Sequence, residues 1–163
     1  MRRMIWACVA AAAMILPAAG VLAQDDIPNY LQDVKEGEWV LYDTETGRQQ
    51  KSTVIKVEGE EAVFLDETIE NGQTTRKGET RLKLSEAMAE LNPPGSPKPK
   101  VYRETAKIKD REVPCEVVEL ELSGRHIKLY LSNEVPVLGI IKLEAVAEDG
   151  RSKPILTLVD YGN

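Results

Sequence analysis

Beyond Gly37, apolar residues recur at every second position in run after run, and the runs are parted by Gly, Asn and Asp. That period suits strands which pack one face inward, and it leaves room for little helix. "EWVLYDTE" opens the series with Trp39 and Leu41 set against Val40 and Tyr42, and "TGRQ" supplies a glycine turn. "KSTVIKVEG" then puts Thr53, Ile55 and Val57 on one side, and "EAVFLDETI" puts Val63, Leu65 and Ile69 on one side, with Glu58-Gly59-Glu60 turning between them. Asn71-Gly72 is the strongest hairpin signal, because both residues tolerate the positive φ of a tight turn. It leads into Gln73 to Lys83, a polar strand expected near a sheet edge.

"SEAMAEL", from Ser85 to Leu91, breaks the alternation: Ser85 caps a helix that Ala87, Met88, Ala89 and Leu91 carry for about two turns. "NPPGSPKPK" stops it, since prolines continue neither a helix nor a central strand, and predicts an extended surface crossing from Asn92 to Lys100. Strand patterns resume in "VYRETAKIKD", turn at Asp110-Arg111-Glu112 and continue in "VPCEVVELEL". Val118, Leu120 and Leu122 there oppose Glu119 and Glu121. Past Ser123-Gly124-Arg125, Ile127, Leu129 and Leu131 alternate with His126, Lys128 and Tyr130. "GIIKLEAVA" and "PILTLVDYG" close the chain around Glu148-Asp149-Gly150. The expectation is a mainly β chain of eight or nine strands in meander order, forming a single curved antiparallel sheet, an incomplete barrel, with one or two short helices.

The first 23 residues have another texture. Two arginines, an apolar run from Met4 to Leu16 and small residues ending at Ala23 read as a secretory signal peptide over 1–23, with a single antiparallel β domain over 24–163. Pro17 and Gly20 interrupt the run short of the ~20 apolar residues of a spanning helix, so no stable membrane anchor is expected after cleavage; a retained anchor is the alternative. The expected location is periplasmic or secreted. Cys8 leaves with the signal, and Cys115 remains without a partner for an internal disulfide. It reads as a small buried residue at a strand entrance, with a reactive thiol as the alternative. Without Arg2 and Arg3 the chain keeps 19 Lys and Arg against 27 Asp and Glu, a net charge of −8. Such a surface repels phosphate backbones, which argues against a nucleic-acid partner.

Chemistry-bearing motifs are scarce. His126 is the one histidine, which excludes three-His and Cys/His zinc sites by count. Its alternation with Leu129 makes it a solvated strand residue in preference to a catalytic base. No Gly-rich phosphate loop or twelve-residue calcium loop is found, so no metal and no cofactor is expected. Glu116, Glu119, Glu121 and Glu144 could set two carboxylates across neighbouring strands for glycoside chemistry, but alternation with Lys gives the same pattern through cross-strand ion pairs. No catalytic residue is assigned, and the chain is expected not to be an enzyme. In "LYLSNEVPVLGIIKLE", Pro136 interrupts the ladder and Gly139 lets it resume, so Ser132 to Gly139 reads as a wide corner; a rim lined by Ser132 and Glu134 is the alternative.

Tyr130-Leu131-Ser132-Asn133-Glu134-Val135-Pro136, then Gly139-Ile140-Ile141-Lys142 and "LTLVDYG", resembles a C-terminal pattern of uncharacterised exported bacterial proteins and the corresponding hairpin of the LolA-like envelope proteins (lipoprotein carrier or LppX type). That resemblance implies an open half-barrel whose concave apolar face, lidded by helices, holds a lipid or acyl chain. It implies a ligand-binding wall of Leu41, Ile55, Leu65, Leu120, Leu129 and Leu143, with Met88 and Leu91 as lid contacts. The same alternation suits a filled core without a cavity. The expected function is thus an exported, non-enzymatic binding protein for an apolar or amphipathic ligand. The alternative is a structural or partner-binding envelope protein, in which the edge of Gln73 to Lys83 accepts another strand.

Overall fold

Nine antiparallel strands make one sheet: β1 (Trp39–Thr44), β2 (Gln49–Glu58), β3 (Glu61–Glu70), β4 (Gln73–Lys83), β5 (Lys100–Ile108), β6 (Arg111–Leu122), β7 (Arg125–Leu131), β8 (Ile140–Val146) and β9 (Ser152–Gly162). The structure, a computed structural model, describes residues 34–83, 85–87, 97–122 and 124–163. The strand order is β4-β3-β2-β1-β9-β8-β7-β6-β5, so the sheet has two free edges and is not closed into a barrel. Residues 85–87 form the one short helix among the described residues.

The expected single-sheet, mainly β architecture is the one observed, but the strands do not follow one plain meander. β1 to β4 form one meander and β5 to β9 another, and the first strand joins the last in the middle, with Tyr42 opposite Leu158 and Thr44 opposite Leu156. The segment between Lys83 and Lys100 therefore connects opposite edges. Of the crossing expected from Asn92 to Lys100, residues 92–96 lie outside the described residues.

Local chemistry sets most turns. Asn71 and Gly72 both have positive φ, 52° and 75°, as a type I′ turn requires. The turn after β5 falls at Lys109 and Asp110, one residue earlier than Asp110 to Glu112, with Lys109 itself at φ 52°. After β8, the N–H of Gly150 donates to the carbonyl of Ala147 and Asp149 accepts from the N–H of Arg151. Register shifts interrupt five of the eight ladders, and such bulges bend and twist a sheet.

The corner between β7 and β8 packs into the core through its valines and leaves Asn133 and Glu134 exposed. Val135 and Val137 join that core, the Ser132 N–H donates to the Gly139 carbonyl, and Ser132 Oγ accepts from the Glu134 N–H. Ser132 is 1% exposed, so its hydroxyl lines no rim. Val137 holds φ 69°, a region that costs a β-branched residue on the order of 1–3 kcal/mol, and its burial offsets that strain. From β1, Tyr42 reaches past β9 and donates its hydroxyl to the Ile140 carbonyl at 3.0 Å.

Candidate functional site

In an antiparallel ladder, directly opposed residues share a face, so the registers can be followed from strand to strand. One row runs Val118, Leu129, Leu143, Leu156 across β6 to β9. All four are at most 5% exposed, which makes this ladder the apolar centre of the inner face. Two further rows start apolar and end polar. The first runs Leu158, Tyr42, Gln50, Thr68, Arg76, and the second Tyr161, Val40, Ser52, Asp66, Gly78.

Within those rows the polar groups satisfy one another. Gln50 Nε2 donates to Thr68 Oγ1 at 2.9 Å, and Ser52 donates to the Asp66 carboxylate. Gln50 and Ser52 are buried, Asp66 and Thr68 half-buried, Arg76 and Gly78 exposed. The face thus becomes wetter and more open toward the β4 edge, and a Cβ added at Gly78 would meet nothing within 4 Å. At the apolar end, the Tyr161 hydroxyl is buried and has no hydrogen-bond partner among the described residues, while the Arg111 guanidinium stands 5.9 Å from its ring. A buried hydroxyl left alone is costly, and native structures hold few of them.

The wall inferred from sequence is partly displaced. Leu120, Leu129 and Leu143 lie buried on the inner face. Leu41 and Leu65 are half-buried on the opposite face, and Val40 with Tyr42 and Phe64 take their places inside. Ile55 sits at a register shift, is 41% exposed and leaves Val54 and Val57 to pack inward. Met88 and Leu91 lie outside the described residues; their neighbour Ala87 is buried in the core, as is Val34 ahead of β1. The missed inner residues Gln50, Ser52 and Thr68 carry a signal of their own. Gln50 and Ser52 are in phase with Val54, and polar residues in phase with a core position mark a buried polar row.

The outer face of β5 to β8 carries Glu119, Glu121 and Glu144 of the carboxylates considered for glycoside chemistry, whereas Glu116, opposite Leu131, shares the Val118 face. Lys100, Glu119, Lys128 and Glu144 stand in one row of alternating sign. Glu119 accepts from the Tyr102 hydroxyl at 2.7 Å and lies 3.2 Å from Lys128 Nζ; its neighbour Glu116 pairs with Arg103 at 3.5 Å. The Tyr102 hydrogen bond, with Lys128 beside it, holds the Glu119 carboxyl below the usual carboxylate range, and the same contact raises Lys128. Glu144, itself buried, accepts from Tyr130 at 3.2 Å and pairs with Lys142; burial and the Glu144 charge push the Tyr130 hydroxyl up to about 12. His126 Nε2 lies 3.7 Å from Glu119 at the same row's margin. These contacts are the cross-strand Lys/Glu pairs expected of the alternation. Burial pushes the Cys115 thiol up, away from the thiolate that a nucleophile needs.

No family model, curated protein or solved structure matches the chain. Among the described residues, no helix is long and apolar enough to cross a membrane.

Proposed function

We propose that this chain is an exported, non-enzymatic binding protein for an amphipathic ligand, a lipid or an acyl chain. The observation that carries the reading is the grading of one continuous sheet face, from the Val118 to Leu156 ladder to the polar row that ends at Arg76 and Gly78. A ligand with an apolar tail and a polar end matches that order, entering from the open β4 side with its tail toward β7 to β9. The unpartnered Tyr161 hydroxyl on the same face offers a hydrogen bond that the protein's described residues leave unused. The N-terminal signal pattern and the acidic surface agree with a place in the cell envelope, apart from nucleic acid.

Titration with a naturally fluorescent polyene fatty acid tests the proposal. Saturable one-to-one enhancement, reversed by unlabelled acyl chains, is the expected result. Tyr161→Phe should keep the folding midpoint, since it removes an unpaired hydroxyl, and weaken the fatty acid severalfold. Enhancement that never saturates, or none at all, would count against ligand carriage.

A further inference from the structure

The β4 edge is long, wet and unguarded by proline. Among the described residues it forms ladder bonds to β3 alone, and most of its eleven residues are exposed. Natural edge strands of this length are commonly blunted by charges that repel a second strand. Here the charges are arranged otherwise. Gly78 is the midpoint of Gln73–Lys83, with Lys77 and Glu79 on either side of it.

We propose that two copies of this chain pair antiparallel through β4 about a two-fold axis at Gly78. Such an axis, perpendicular to the sheet, keeps each side chain on its own face, so residue numbers of opposed positions must sum to an even value. Centred on Gly78, the strands overlap end to end, interrupted opposite Arg81 by the bulge at Thr75: Lys77 meets Glu79 of the second copy, twice, Arg76 meets Thr80, and no like charges are opposed. Shifting the centre to Lys77 or Glu79 sets two like charges face to face, and shifting it to Arg76 or Thr80 opposes Arg to Arg or Lys to Lys. Charge therefore selects one register. At its centre two glycines meet, where an added Cβ would find open space on either copy.

The contact also extends a pattern already present within the chain. Lys77 Nζ lies 2.7 Å from Glu67 on β3 and stays 61% exposed, so it can bridge Glu67 and the second copy's Glu79. The row Glu67, Lys77, Glu79 then alternates in sign across the junction, as Lys100, Glu119, Lys128, Glu144 does within one copy. The β5 edge offers a shorter match: centred on Tyr102 it opposes Lys100 to Glu104 over five residues only.

Sedimentation equilibrium of the purified protein should give a dimer mass. Glu79→Lys and Lys77→Glu, each checked for an unchanged far-ultraviolet spectrum, turn both central contacts repulsive and should weaken the dimer about tenfold or more. Neither variant pairs well with itself, but an equimolar mixture of the two restores opposite charges at both contacts and should recover the dimer mass. A monomeric wild-type protein overturns the proposal. So does a dimer indifferent to Glu79→Lys, which would place the contact on another surface such as the β5 edge, or a mixture that stays monomeric.

Discussion

Phe64→Ala lowers the unfolding free energy by about 3–5 kcal/mol, whereas Leu65→Ala, one residue on, lowers it by about 1 kcal/mol. Phe64 is 0% exposed, opposed to Val54 and packed on the inner face, so its removal leaves a cavity that a nine-stranded ladder cannot close without losing backbone bonds. Leu65 points to the other side, half-buried between Thr53 and Glu79. Urea unfolding of the two variants reads the difference directly. A larger loss at Leu65 would mean that β3 presents the opposite face to the core, and equal losses that it buries both alike.

The second large effect belongs to Leu129, the inner member of the four-strand apolar ladder. Leu129→Ala should cost about 2–5 kcal/mol, because its side chain is 2% exposed and is held between Val118 and Leu143. Leu143→Ala should cost a similar amount alone and less than its full share in the double variant, since the first cavity already removes half of their shared contact. A double variant whose losses simply add would show that the ladder is not packed as one unit. Leu41→Ala, on the opposite face, serves as the mild control.

Those two contrasts mark where the sequence could be read and where it could not. From Val118 to Leu122, Ile127 to Leu131 and Ile141 to Ala145, apolar residues alternate with Glu, Lys or Tyr, so Leu120, Leu129 and Leu143 are placed on the inner face by pattern alone. In β1 and β3, both faces carry large apolar residues: Trp39 and Leu41 against Val40 and Tyr42, Val63 and Leu65 against Ala62 and Phe64. Alternation there gives two phases without saying which is inside, and size favours the wrong one. Lys51 above the Trp39 ring at 4.8 Å and Gly162 against its edge account for a large side chain on the outer face. At Ile55 a bulge resets the phase, and no local residue announces it. The joining of β1 to β9 is the most distant pairing in the chain, specified by matching faces at both ends and by no turn, so it is legible only once the fold is known.

The polar row was half legible: Gln50 and Ser52 are in phase with Val54, but nothing local names Asp66 and Thr68 as their partners. Asp66 and Thr68 look like solvent-facing positions until their partners are seen to be Ser52 and Gln50. Buried polar groups persist when they are mutually satisfied, and a row of them beside an apolar ladder gives a sheet face two chemistries. For the polar end of the proposed ligand, this row and the Tyr161 hydroxyl offer hydrogen-bonding groups on that face.

Native mass spectrometry of the protein isolated under mild conditions from the cells that make it tests the proposed ligand carriage most directly. The expected result is a population heavier than the polypeptide by the mass of one lipid or fatty acid, released on collisional activation and depleted in Tyr161→Phe. A single species at the bare polypeptide mass, in a preparation that also fails to take up added acyl chains, would contradict it and leave the graded face as a filled core.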